Sequence, residues 1–315
     1  RVMNQDVIGA RLIPDDRCTF DTWLSSEPLV PRCFAYYSDK IPEVIIKAFE
    51  TALIQPDTYL LRAIMHEDVI KIKETQQAME ALFNIFAKND LVHRFLMAAC
   101  ALEFSKPNLD ENQVLRSNSH VTWLFKVFYK KYGHDVYDNI IKPIIQKIEE
   151  KGPLNIKDQD TSHIQEVTDL LNSVIDTFLT GSQYIPKQFR HFASVLKSIT
   201  ATRLRTRHAV FNALSSFFCL RFSTAIIANP TDFDSDAKPK DVSNVLVPFA
   251  QLLQLPFNLQ PFTERYFYLG DLKDKIIDRY EEIYNYVVTI ADINEPVEYE
   301  KPSDDVVNKS ICKLM

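Results

Sequence analysis

Ala209 to Asn229 reads AVFNALSSFFCLRFSTAIIAN, the most hydrophobic stretch of a 315-residue chain. Its length approaches the ~20 residues a helix needs to cross a bilayer. It also holds Asn212, three serines and, near its middle, Arg221. An arginine at the centre of a membrane costs about 2.5–3.5 kcal/mol. A helix buried on all sides within a helical bundle is the reading that fits. Arg221 then has five N–H donors to satisfy away from water. Two arrangements would do so: an ion pair with a carboxylate, or a planar fork that holds main-chain carbonyls of a loop and stiffens it.

On both sides of this stretch the apolar residues recur with a period near 3.6. Val44, Ile45, Ala48, Phe49, Ala52 and Leu53 share one stripe, and Leu60–Met65 and Ile72–Lys88 continue it. Leu91–Phe104 is a strong helix. The helix carrying Val121, Leu124, Phe125 and Phe128 would take Asn118 or Ser119 as its N-cap. Further helices are expected over Ile140–Ile148, with Pro143 near its start, over Val167–Phe178, and from Pro186 to Ile199. Val242–Leu253 is expected to be helical around Pro248, and a long amphipathic stretch runs from Phe262 to Ile290. The fold class expected is all-α: an elongated helical domain over 45–293, after an N-terminal flank of loop and short helices over 1–44 and before an acidic, mobile tail over 294–315.

Composition excludes several chemistries. Hydrophobic residues make up 46% and charged residues 25%, as in a soluble globular protein. Glycine is scarce, 5 in the whole chain at positions 9, 133, 152, 181 and 270. No Gly-rich phosphate cradle can be built from isolated glycines, so the chain is not expected to bind a nucleotide by itself. A formal net charge of −6 argues against a non-specific nucleic-acid binder. Cys18, Cys33, Cys100, Cys219 and Cys312 never form CxxC, and the seven histidines never take HExxH or HxxxH spacing. Neither a disulfide framework nor a metal site is signalled. The chain begins Arg1-Val2-Met3-Asn4 without a leader-like segment and reads as a cytoplasmic fragment, monomeric, with no transmembrane segment. Cys312-Lys313-Leu314-Met315 has the outline of a prenylation box, with a non-aliphatic Lys313.

A second arginine stands out beside Arg221. Arg116 lies in Val114-Leu115-Arg116-Ser117-Asn118-Ser119, just before a helix N-terminus, so its loop is anchored while the guanidinium can project. It reads either as a solvated loop arginine or as a presented one. Arg203-Leu204-Arg205-Thr206-Arg207-His208 reads as a solvated helix start, and Trp123 as either core or partner contact.

Leu115-Arg116-Ser117-Asn118-Ser119, with a following amphipathic helix and Pro143-Ile144-Ile145, resembles the finger-loop block of Ras GTPase-activating (RasGAP) domains. Ile185-Pro186-Lys187-Gln188-Phe189-Arg190 is similar to that family's proline-opened helix, and Cys219-Leu220-Arg221-Phe222 through Asn229-Pro230 to its second arginine block. Leu154-Asn155-Ile156-Lys157 and Ile185–Lys197 also resemble the IQGAP branch, whose members bind Rho-type GTPases without a working finger. The resemblance implies an activator that is not itself an enzyme: it docks on a Ras-family small GTPase in its GTP form and completes that protein's active site. GTP and Mg²⁺ would be carried by the partner. It implies Arg116 as the arginine finger, Arg221 as the stabiliser of its loop, and Leu115, Ser117, Asn118, Leu220 and Phe222 as partner-binding residues. Recruitment to the inner membrane surface would follow from such a partner. The alternative implied is an inactive relative that binds a Rho-class GTPase as a scaffold. The sequence departs from the family at Cys219, Thr224-Ala225, His120 and Trp123, and Pro248 stands where a GTPase-contacting lysine is usual.

Overall fold

The computed structural model describes residues 41, 43–65, 75–106, 109–111, 114–154, 156, 162–258, 276–293 and 295–315. Residues 1–40 and 42 of the flank expected over 1–44, and the first part of the stretch from Phe262, lie outside these residues. The described residues contain helices and no strand. In chain order the α-helices of five residues or more are α1 Glu43–Leu53, α2 Tyr59–Ile64, α3 Thr75–Lys88, α4 Val92–Glu103 and α5 His120–Tyr132. They continue with α6 Lys142–Lys151, α7 Ile164–Thr180, α8 Lys187–Arg203, α9 Arg207–Ser215 and α10 Thr224–Ala228. The last are α11 Val247–Phe257, α12 Tyr280–Thr289 and α13 Asp304–Leu314.

The chain divides into two compact units, Arg1–Ala98 with Glu300–Met315, and Ala99–Tyr299. In the first, α13 packs along α3. Val307 and Ile311, one turn apart, are buried there. Ser303 caps the helix by accepting from the Val306 amide, and Asp304 and Asp305 favour its positive N-terminal end. Lys88 pairs with Asp304 at 2.6 Å, and Asn84 donates to Ser310 at 3.4 Å. The mobile tail expected over 294–315 is thereby corrected for its second half. Of its acidic residues, Asp304 and Asp305 occupy the first turn of the helix, and the apolar Val307 and Ile311 behind them bury.

The second unit is built around the hydrophobic stretch. Arg207–Ala228 forms one continuous 22-residue helical run, long and apolar enough to cross a membrane, but 83% of its apolar window is buried inside the protein. It is the core helix of this unit, and along its central and C-terminal part it opens to solvent at Leu220, Arg221, Ala225 and Ala228. Around it the aromatic rings of α5 and α8 interlock. Tyr129 stacks on Phe222 with centroids 4.5 Å apart, Phe125 meets Phe217 at 4.8 Å and Phe128 meets Phe192 at 4.7 Å. Such pairs add about 0.5–1.5 kcal/mol each beyond the area they bury.

Ser216–Ser223, in the middle of the run, is π-helical, so its backbone closes rings between residues five apart. Hydroxyls support its carbonyls. Tyr129 donates to the Phe217 oxygen, Ser223 to the Phe218 oxygen at 2.9 Å, and Thr224 to the Leu220 oxygen at 3.2 Å. Two further π turns occur, Tyr137–Ile141 before α6 and Val242–Leu246 before α11. Pro248 sits where the latter turn gives way to α-helix, the place where a missing N–H disturbs the ladder least.

The turn after α5 is fitted closely to this run. A Cβ at Gly133 would lie 2.9 Å from Phe222 Cζ and 2.5 Å from the Tyr129 carbonyl oxygen. Gly133→Ala should therefore destabilise the unit by about 1–3 kcal/mol, the usual cost of forcing atoms into a filled core. Thermal melting of the variant checks this; an unchanged melting temperature would mean that Phe222 yields freely.

Candidate functional site

The two singled-out arginines meet. Arg116 and Arg221, distant in sequence, come together because the segment 114–119 lies against the π-helical part of the core run. Arg221 donates through Nη2 to the main-chain oxygen of Arg116, and through Nη1 to Asn118 Oδ1 at 3.1 Å. These acceptors are a carbonyl and a side-chain amide, not a carboxylate. Of the two arrangements open to a shielded arginine, the structure has the carbonyl-holding one. Arg221 is half-buried rather than enclosed, and its Nε is buried without a hydrogen-bond partner. Desolvation lowers its pKa below the ordinary arginine value, and the nearby Tyr129 works in the opposite direction. The arginine remains charged, since its pKa starts far above neutrality.

The loop is held from several sides. Ser119 is the N-cap of α5 and forms a capping box with Thr122: Thr122 donates its amide to the Ser119 hydroxyl at 3.4 Å, and Ser119 donates its amide to Thr122 Oγ1 at 2.7 Å. Ser216 Oγ donates to the Val114 carbonyl at 3.1 Å. Asn212 Nδ2 donates to the Glu111 carbonyl at 3.0 Å, and Thr206 Oγ1 donates to the Glu111 carboxylate at 2.8 Å. Leu115 takes φ +57°, the left-handed region that a side chain other than glycine's enters at a cost. Its side chain is only 2% exposed, so burial of the leucine offsets the backbone strain and turns the next residue outward.

Arg116 is partly exposed, and among the described residues its guanidinium has no hydrogen-bond or ion-pair partner. Ser117 and Asn118 beside it are exposed, and Leu220 is partly exposed. A planar cation of this kind, on a loop fixed by its own carbonyls, can take two oxygens of an incoming phosphate or carboxylate without further ordering. Two expected partner contacts are corrected. Leu115 and Phe222 are 2% and 0% exposed, so neither side chain can touch another protein; both are anchors beneath the surface. Trp123 is partly exposed with the Lys126 ammonium 4.3 Å from its ring centroid. Arg203 donates to the Phe104 carbonyl at 3.3 Å, and the Arg207 guanidinium lies 5.1 Å from the Tyr284 ring centroid. At least these two members of the basic run are tied to the protein.

Residues 153–258 match the RasGAP family model, described as GTPase-activator protein for Ras-like GTPase. No curated protein matches the chain. The RasGAP match takes in Arg221 and the whole π-helical turn, while Arg116 and its loop lie ahead of it in sequence. Ser216, Asn212 and Thr206 were not picked out by the sequence as loop-holding residues. Asn212 and Ser216 could have been noticed as polar positions four apart on a stretch otherwise apolar.

Burial and charge around Arg221 also set a response to alkali. Burial pushes the Tyr129 phenol well above its ordinary value of 10.0, against the pull of Arg221, and burial does the same to Tyr286. A raised folded pKa means that the folded state keeps its proton while the unfolded chain loses it. The contribution is therefore complete below about pH 10 and declines as the pH rises beyond it. Melting curves between neutral and strongly alkaline pH should fall more steeply for the wild type than for Tyr129→Phe; parallel curves would deny Tyr129 this role.

Proposed function

We propose that this chain is a GTPase-activating protein that inserts Arg116 into the active centre of a GTP-loaded small GTPase of the Ras superfamily. The observation that carries the reading is the bond from Arg221 to the Arg116 carbonyl, which holds the loop while the Arg116 guanidinium has no partner among the described residues. The RasGAP match over 153–258 supports the class of partner. In phosphoryl transfer, charge builds on the γ-phosphoryl oxygens and on the leaving oxygen, and a preorganised guanidinium in a water-poor interface stabilises it. Arginine fingers of Ras and Gα systems are worth about 10³–10⁵-fold in rate. That corresponds to roughly 4–7 kcal/mol of barrier.

The residues divide the work. Arg116 would supply the charge, and Arg221 would spare it the entropy of ordering its loop at the moment of docking. Ser117, Asn118 and Leu220, exposed or partly exposed around it, would meet the GTPase surface. The nucleotide and its Mg²⁺ would belong to the partner, and the chain's own chemistry is limited to positioning one cation. A second reading rests on Pro248: it is buried and carries no charge, where the resemblance calls for a lysine that contacts the GTPase. On that reading the chain binds a Rho-class GTPase as a scaffold without accelerating hydrolysis.

Single-turnover GTP hydrolysis by Ras-, Rap- and Rho-class GTPases, with and without the protein, separates the two readings. The activator reading expects acceleration of at least one GTPase by about 10³-fold or more, abolished by Arg116→Ala and scarcely recovered by Arg116→Lys, because a point charge does not reproduce the planar fork. Binding without acceleration would favour the scaffold. Acceleration that survives Arg116→Ala would remove Arg116 from the chemistry. Arg221→Ala should lose part of the acceleration and about 1–3 kcal/mol of stability, since the carbonyl and amide it serves lose their donor.

A further inference from the structure

Three side chains of the core run serve the arginine loop in strict order. Asn212 reaches the carbonyl of Glu111, Ser216 that of Val114 and Arg221 that of Arg116. As the helix ascends, so does the loop. The separations along the helix are four and five residues, and the five spans the π-helical turn Ser216–Ser223. In an uninterrupted α-helix of 3.6 residues per turn, Asn212 and Arg221 would be about 2.5 turns apart and would face opposite sides. Closing the backbone rings between residues five apart places Arg221 back over Ser216. The side chain that would hold this row in plain α register is Leu220.

We propose that Asn212 and Ser216 are positioning residues for Arg116, and that the π-helical turn is the register device that adds Arg221 to their row. The three donors form a ladder that meets the carbonyls of Glu111, Val114 and Arg116 in chain order. Asn212 and Ser216 are 5% and 3% exposed, so the bonds lie away from competing water and neither polar group is free to turn to solvent. The top rung ends on the residue whose guanidinium is presented. Loss of a lower rung would let the segment around Val114 move, and with it the left-handed Leu115 that aims Arg116 outward. What the ladder is for rests on the activator reading; that it braces the loop does not.

Two measurements on the same variants keep those claims apart. Amide hydrogen exchange followed by mass spectrometry reads the brace directly, in the full chain and without any GTPase. Ser216→Ala and Asn212→Ala should each speed exchange in 114–119 by about threefold to tenfold, the worth of one hydrogen bond, while exchange in α3 and α13 stays as in wild type. Ser216→Thr, which keeps the hydroxyl, should restore slow exchange. The register is tested by the paired exchange Leu220→Arg with Arg221→Leu: if the turn is π-helical in function, an arginine at 220 cannot replace one at 221, and the loop stays fast. Unchanged exchange in Ser216→Ala and Asn212→Ala, or full protection in the paired variant, would overturn the ladder. Hydrolysis assays then read its purpose. Ser216→Ala should lower the rate at saturating activator by about threefold to tenfold with little change in half-saturation, because the bound complex forms but its cation wanders. If the wild type accelerates no GTPase while Ser216→Ala still loosens the loop, the activator reading fails and the brace stands.

Discussion

A guanidinium that donates to the carbonyl of another arginine is the contact on which this molecule's arrangement turns. It solves two problems at once. The core run needs an outlet for a cation placed among phenylalanines, and the loop before α5 needs an acceptor satisfied where its backbone makes no helix. Arg221 supplies the donor and the Arg116 carbonyl the acceptor. Neither group has to be paired by a carboxylate, so Arg116 stays the one charged residue of the segment 114–119. A carboxylate in the same place would have held the core arginine equally well and cancelled the field that an anion would feel at Arg116.

Much of the surrounding structure can be understood as making that contact possible. Interior helices are most stable when every backbone ring closes at i to i+4, and a π turn sacrifices that regularity. Here the looser ladder is repaid by hydroxyls from Tyr129, Ser223 and Thr224, each donating to a carbonyl of the turn. Tyr129 does double service, because its ring also stacks on Phe222. The close approach of Gly133 to Phe222 belongs to the same fit. A local irregularity is thus embedded in the best-packed part of the unit, where neighbouring rings leave it one geometry.

How much of this the sequence discloses depends on the physical signal involved. Helices announced themselves through apolar period, and the start of α5 through the capping chemistry of Asn118 or Ser119, because both signals are local in the chain. Ala209–Asn229 could be assigned to a core and not to a bilayer on the strength of Arg221 and its polar companions alone. The acidic C-terminal segment misled for an equally local reason: Asp304 and Asp305 read as solvated charge, whereas they occupy the first turn of a helix whose Val307 and Ile311 bury against α3. Leu115 and Phe222 misled in another way. A resemblance carries a residue's neighbourhood along with it, and an anchor beneath a contact surface is easily mistaken for the surface.

The π-helical turn was not legible, and the reason is instructive. Its sequence, Ser216-Phe217-Phe218-Cys219-Leu220-Arg221-Phe222-Ser223, has apolar residues on every side, so no hydrophobic stripe exists whose phase could betray the change from 3.6 residues per turn. Register in such a helix is visible only through its polar members, and those acquire meaning only when their partners are known. Asn212, Ser216 and Arg221 do not share one face of a regular α-helix, yet they follow the carbonyls of Glu111, Val114 and Arg116 in order along the chain. The RasGAP match ends short of that loop on its N-terminal side, so similarity along 153–258 secures the helix but not what the helix holds. What connects the two is geometry: a buried donor fixes a carbonyl, the carbonyl fixes a backbone, and the backbone leaves one cation facing out.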